Sequence, residues 1–363
     1  MAGEALVAEE LRTYLDCVAQ MIRRPAVARS LALATLDHRT VEREFRRRLL
    51  AICPPGADPE FPFMSLPPAS YLERNFFSIL FLSVYAALGL PPERRRLYGL
   101  VLHAVRGLVT ATDNIVDLHT KGPVRVSMGK GVVMPNVFLL LLEDLLLSTL
   151  IEQATPEGRD VDSVRAALMQ ALFDIAREES GEEEAVKSVL TPEEVLESVH
   201  AFRGGKLLQL AFVVPELCEP TLEGQIGKAR SAVYHIGLGL QMLDDVTDLA
   251  EDVQRRNHNV LRSWIVHRGP DGGLSDEDLW AMGAERLEAP EVTFPRATAA
   301  VTARAVAEAV DGFAGLHALG HPIDRQAALD IVRVMFRLRG LSRLWEAAER
   351  ELGELSGSPA RRA

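Results

Sequence analysis

Between Cys53 and Pro68 the chain carries six prolines (Pro54, Pro55, Pro59, Pro62, Pro67 and Pro68), and almost everything outside that run is helix-forming sequence. Proline fixes φ and lacks a backbone N–H, so 54–68 is not helical throughout and divides the chain. On either side Leu, Ala, Glu and Arg dominate, aromatic residues are only 6%, and alternating β-branched runs are scarce. The spacing predicts helices over 4–23, 40–52, 69–89, 93–118, 136–153, 161–178, 192–217, 221–252, 295–318 and 323–354. Thr191 before Pro192, Glu193 and Glu194 is a helix start, and Pro91-Pro92 separates two helices. The fold class expected is all-α. N-terminal helices occupy 1–53, the Pro-rich linker 54–68, a bundle of long helices 69–355 and a tail 356–363.

Composition excludes several function classes. With 363 residues, 48% of them hydrophobic, there is ample material for a core. A net charge of −11 argues against a general basic surface for nucleic acid. Cys17, Cys53 and Cys218 are far apart and form no CxxC pair, so neither a disulfide framework nor a structural zinc site is indicated, and a cytoplasmic location is expected. Glu4, Glu9, Glu10 and Arg12 are wrong for a secretory signal. The most apolar stretch, 132–151, is interrupted by Pro135, Asn136, Glu143 and Asp144. Its longest unbroken run, Val137 to Leu142, falls far short of the ~20 residues of a spanning helix, so no membrane span is expected. The acidic run Glu178 to Glu184 reads as a solvated loop.

Two acidic patterns carry chemistry. Asp113 and Asp117 are i and i+4 at the end of the helix over 93–118, so their carboxylates share one face. Like charges at that spacing repel, and the negative helix end adds to the field, so the pair favours a cation. Asp244, Asp248 and Asp252 continue the pattern at i, i+4 and i+8 along an otherwise apolar helix, with Asp245 beside them pointing about 100° away toward the rim. Hard oxygen ligands without paired Cys or His point to Mg²⁺, which takes a few carboxylates together with phosphate oxygens.

On these residues the chain resembles the trans-isoprenyl diphosphate synthase superfamily, whose all-α fold is shared by the class I terpene synthases. Gln241, Asp244, Asp245, Asp248 and Asp252 match the second aspartate motif of that family, and Asp113-Asn114-Ile115-Val116-Asp117 resembles the first with Asn at its second position. The resemblance runs from about Ser70 to Asn259. It implies antiparallel helices around a central cavity, with the two motifs facing each other across it. It also implies three Mg²⁺ ions, held by Asp113, Asp117, Asp244, Asp245, Asp248 and Asp252 with the substrate diphosphate. Arg203-Gly204-Gly205-Lys206-Leu207 is similar to the diphosphate-binding Lys-Thr-Gly segment, which implies Arg203, Lys206 and Gln241 as diphosphate contacts.

Departures from that pattern separate two activities. The elongating enzymes hold isopentenyl diphosphate, a second anion, with a basic Gly-Gly-Lys-Arg segment on an early helix, a His before the first motif and an Arg pair after it. Here the early helix reads Ala69 to Phe77 with Arg74 as its one basic residue beside Glu73, Arg106 stands near the His position, and no Arg pair follows Asp117. Lys121, Arg125 and Lys130 are the substitutes for a phosphate contact in the following loop. The sequence therefore favours a terpene synthase (a lyase) that ionises a linear prenyl diphosphate of C15 or longer and cyclises the carbocation. The alternative is a prenyltransferase condensing an allylic diphosphate with isopentenyl diphosphate. A head-to-head synthase and an inactive partner subunit fit the second motif less well, and assembly as a homodimer is left open.

Overall fold

The structure, a computed structural model, describes residues 2–128, 131–180, 188–268, 273–338, 340–346 and 348–349. The elements in chain order are α1 (Ala2–Met21), α2 (Pro25–Ile52), β1 (Pro59–Glu60), a 3₁₀ turn (Pro62–Ser65), α3 (Pro68–Ala87), α4 (Pro92–Asp117), β2 (Arg125–Val126), α5 (Val133–Ala154) and α6 (Val161–Glu179). Then come α7 (Pro192–Glu194), a π-helical segment (Val195–Lys206), α8 (Leu207–Cys218), α9 (Glu223–Thr247), α10 (Leu249–Arg255) and α11 (Val260–Arg268). The short helices α12 (Asp276–Trp280), α13 (Ala284–Leu287) and α14 (Pro290–Thr293) precede α15 (Pro295–His317) and α16 (Arg325–Leu338). The protein is all-α, as its sequence texture implies.

Three predicted boundaries move. The helix expected from residue 40 begins at Pro25, which occupies its first turn. The added turns bury Val27, Ala28, Leu31, Ala32 and Thr35 at helical spacing, so burial stabilises a stretch that reads as weakly patterned alone. The helix expected over 221–252 divides at Asp248, whose φ of −101° and ψ of 9° leave the helical region. The helix expected over 323–354 is interrupted: α16 ends at Leu338, Gly340 follows with φ +74°, a left-handed helix terminus that glycine adopts without strain, and helix resumes over 342–346. Lys130, Glu182 to Glu184 and the tail 356–363 lie outside the described residues.

The chain forms two compact units. The first comprises Met1–Met169, Leu210–Gly227 and Leu319–Pro322; the second comprises Gln170–Gln209, Lys228–Ala318 and Ile323–Ala363. In the first unit α1 and α2 pack on α3 and α4, so the N-terminal helices share its core. Asp37 of α2 accepts from Arg95 (2.8 Å) and Arg96 (2.9 Å) of α4. Tyr71 of α3 donates to Glu42 (2.6 Å) while His38 Nδ1 lies 2.6 Å from the same phenol oxygen. Phe81 and Tyr85 of α3 meet Phe212 edge-on inside this core, whereas Phe76 and Phe77 are half-buried.

Helix α5 is long and apolar enough to cross a membrane by length and composition, yet half of that window is buried in the fold. It packs along α4, and between them lies Glu143, 1% exposed. Gly107 of α4 makes the room: a Cβ there would sit 2.0 Å from Glu143 Oε1. Oε2 of Glu143 has no hydrogen-bond partner, and burial pushes its carboxyl up to about 8 from an ordinary 4.5. The folded state therefore holds a proton that the unfolded chain has already lost, and stability falls as pH rises from about 4.5 through about 8. Glu143→Gln keeps the shape and removes the titration. We expect the variant to exceed the parent in stability at pH 8.5 by on the order of 3 kcal/mol, with little difference at pH 4.5. Denaturant melts at both pH values check this, and parallel pH profiles for the two proteins would refute it.

Candidate functional site

Asp113 and Asp117 lie exposed on the last two turns of α4. His119 Nδ1 approaches the Asp117 carboxylate at 3.9 Å. Beneath them Asn114, 4% exposed, holds the turn that leaves the helix. Its side-chain amide donates to the Lys121 carbonyl (2.7 Å) and to Asn136 (3.1 Å), and its oxygen accepts the Lys121 N–H (3.0 Å). An aspartate cannot supply the two donors. The departure from the first motif thus has a local cause, since the residue between the two acidic positions ties down the following loop.

That loop borders a cleft of about 230 Å³ lined by Asn114, Lys121, Arg125, Ser127 and Leu139, among others. Lys121 and Arg125 are both exposed. Arg125 sits in β2, which pairs antiparallel with β1 through Pro59–Val126 and Glu60–Arg125. The linker is thereby zipped to the loop after the first acidic pair.

In the second unit Asp244 is half-buried on α9 and Asp248 is exposed at the break before α10. Asp248 donates its N–H to the Asp244 carbonyl (2.8 Å), so the two stay one turn apart across the break. The rim position expected for Asp245 is corrected. Asp245 is 3% exposed: it accepts the Val260 N–H, lies 2.9 Å from His200 Nε2 and takes a longer hydrogen bond from Gln241 (3.3 Å). The offset of one residue turns Asp245 inward, because the chain folds back after α10 and lays Asn259 and Val260 over it. Asn259 donates to the Asp245 carbonyl (2.7 Å) and to the Asp252 carboxylate (2.8 Å). Burial and then the neighbouring Asp245 push Asp252 up to about 7. Gln241, expected to meet diphosphate, is engaged with Asp245.

Arg203 and Lys206 stand on the π-helical segment. Arg203 Nε donates to Glu178 (3.1 Å), and Lys206 sits over the Phe202 ring (3.9 Å) with Asp174 at 4.0 Å. The intervening glycines serve packing: a Cβ on Gly204 would lie 2.4 Å from the Gly237 carbonyl oxygen, and one on Gly205 would strike the Tyr234 ring. Backbone touches backbone where this segment crosses α9. After α10, Arg255 pairs with Glu251 (2.9 Å) and Arg256 stacks on Trp280 (5.3 Å). Among the described residues, no three carboxylate, imidazole or thiol groups are already gathered tightly enough to hold a metal ion.

On the early helix Arg74 is not alone. Arg106 of α4 donates to Asn75 Oδ1 (2.8 Å) and to the Arg74 carbonyl (3.0 Å), and its guanidinium feels the positive charge of Arg74. Phe63 of the 3₁₀ turn covers both, its ring centre 5.5 Å from the Arg106 guanidinium and 6.0 Å from that of Arg74. Sequence reasoning missed this pair as a pair, and it missed His200. The signal for His200 was slight: a histidine three residues before Arg203 on a helical stretch.

The sequence matches no protein-family model and no curated protein, but solved structures share its fold. Geranylgeranyl pyrophosphate synthase from Lactobacillus brevis ATCC 367 superposes with a TM-score of 0.53 at 14% identity, over 86% of this chain and 97% of that one. The geranylgeranyl pyrophosphate synthetase of Pyrococcus horikoshii OT3 gives 0.49 at 16% identity, over 90% and 97%. At 14% identity the likeness is one of fold alone: the chain shares the all-α fold of that Lactobacillus brevis enzyme.

Asn114 yields a direct test. Asn114→Asp restores the aspartate of the first motif, but it places carboxylate oxygen against the Lys121 carbonyl and Asn136. We expect a loss of about 2–4 kcal/mol, read as a lower Tm at neutral pH. An unchanged Tm would show that the loop does not depend on the amide.

Proposed function

We propose that the chain is a Mg²⁺-dependent enzyme of prenyl diphosphates, and that its reaction condenses an allylic diphosphate with isopentenyl diphosphate. The observation that carries the second part is the Arg74–Arg106 pair. Condensation needs a place for a second anion and cyclisation does not. Two guanidiniums gathered at one ring supply it, Arg106 of α4 joining the single arginine of the early helix. A geranylgeranyl pyrophosphate synthase among the structural neighbours supports the same reading.

The donor chemistry fits magnesium. Asp113 and Asp117 stand exposed at the negative end of α4, and Asp244 and Asp248 stay one turn apart across a helix break. All four offer hard oxygen, and each pair carries a repulsion that a cation relieves. When bound, Mg²⁺ supplies charge neutralisation for the departing pyrophosphate. Arg203 and Lys206 are proposed to donate to the same leaving group. Asp245, buried, and Asp252, half-buried, are both hydrogen-bonded and hold the turn that positions Asp244 and Asp248. Arg74 and Arg106 bind the second diphosphate through charge-assisted hydrogen bonds.

One observation favours the other reading, in which a single prenyl diphosphate is ionised and cyclised. Phe63 covers the arginine pair, and Glu73 adds negative charge beside it. Product analysis separates the two. The full chain with Mg²⁺, farnesyl diphosphate and isopentenyl diphosphate is expected to give longer diphosphates only when isopentenyl diphosphate is present. Release of pyrophosphate with a hydrocarbon or alcohol from farnesyl diphosphate alone would replace condensation by cyclisation. Under either chemistry Asp113→Ala or Asp244→Ala is expected to lower turnover by about 10²–10³-fold. The same changes should leave Tm equal or slightly raised, since each removes a like-charge neighbour. Unfolding of either variant would assign that aspartate a structural role instead.

A further inference from the structure

The turn Pro62–Ser65 buries none of its residues, yet arginines from three helices hold it in place. Arg39 of α2 donates to the Met64 carbonyl (2.8 Å). Arg46 of α2 lies over the Phe61 ring (5.6 Å), and Arg74 of α3 and Arg106 of α4 lie over Phe63. A π face and a carbonyl oxygen are what a neutral peptide can offer to cations. Among the described residues neither Arg46 nor Arg74 has a carboxylate partner or a side-chain hydrogen bond, and Arg106, which donates to Asn75 and the Arg74 carbonyl, also lies in the field of the buried Glu42. The described residues therefore engage only part of these guanidinium N–H groups, leaving donors that solvent or a ligand can meet. Arginine so placed forms stronger, directed hydrogen bonds with a phosphate oxygen than with a ring face.

The attachment of the turn is slight on its other side as well. β1 is joined to β2 over two residues only, through Pro59–Val126 and Glu60–Arg125. Prolines on both flanks, Pro59 and Pro67-Pro68, stiffen the segment, so it moves as a piece. Arg74 is exposed, which leaves an approach for a ligand from solvent.

We infer that Pro62–Ser65 is a gate: Phe63 occupies the place of an anion over Arg74 and Arg106, and a diphosphate-class ligand enters by displacing it. The ring is a neutral stand-in for the anion, and it determines how readily the second substrate is admitted. The inference rests on the condensation reading for the identity of the ligand, but the anion site itself does not.

Binding of inorganic pyrophosphate to the full chain, in metal-free buffer with chelator, tests the gate by calorimetry. Phe63→Ala is expected to bind about tenfold more tightly than the parent, the equivalent of two cation–π contacts no longer broken on binding. Adding Arg74→Gln to that variant should remove the gain. Equal affinity for parent and Phe63→Ala, or a gain that survives Arg74→Gln, overturns the inference. In turnover assays Phe63→Ala should lower the KM for isopentenyl diphosphate and leave that for the allylic diphosphate unchanged. A pyrophosphate gain in a protein that never consumes isopentenyl diphosphate would keep the gated anion site and discard condensation.

Discussion

Carboxylates that repel one another have to be held one helical turn apart, and much of the chain is arranged to do so. In the first unit the restraint comes from beneath: α5 packs against α4 with Glu143 seated over Gly107, and Asn114 fastens the turn after Asp117. In the second unit it comes from behind. Asp245 binds the Val260 N–H, His200 and Gln241, so Asp244 and Asp248 sit on a break that is hydrogen-bonded on its buried side. Each acidic pair thus sits on a turn that hydrogen bonds from neighbouring buried residues hold in place. That arrangement is the physical basis for expecting the site to be changed by mutation without loss of the fold.

The helical class was legible because period 3.6 and the scarcity of β-branched alternation are local signals, and most boundaries followed from Pro and Gly. The first half of α2 was not, since its helix is stabilised by the burial of Val27, Ala28, Leu31, Ala32 and Thr35, a tertiary effect. The second acidic motif was legible as a set of residues but not as a geometry. Helical pitch places Asp245 about 100° from Asp244, and pitch alone does not say whether that direction is solvent or core. The fold-back of Asn257 to Val260 decides it. The role of Asn114 was hidden for a similar reason: its partners, Lys121 and Asn136, are set by a loop whose path no periodicity encodes.

The Pro-rich linker shows how a segment excluded from helix still shapes the site. Composition identifies it only as an interruption. Its two phenylalanines, however, meet arginines that arrive from three different helices. A count of basic residues along α3 finds only Arg74, whereas the neighbour that changes the chemistry comes from α4, thirty-two residues later. Anion sites assembled across helices are therefore under-read by any scan along one of them. The same holds for His200, whose partner Asp245 lies on α9.

Glu143 has a consequence of another kind. A protonated acid whose Oε2 has no hydrogen-bond partner carries a carbonyl vibration set apart from those of exposed, ionised carboxylates. It rests against Gly107, six residues before Asp113 on the same helix. Any displacement of α4 that accompanies cation capture changes the electric field across that bond. The chain therefore contains an intrinsic infrared probe, placed behind the first acidic pair and needing no label.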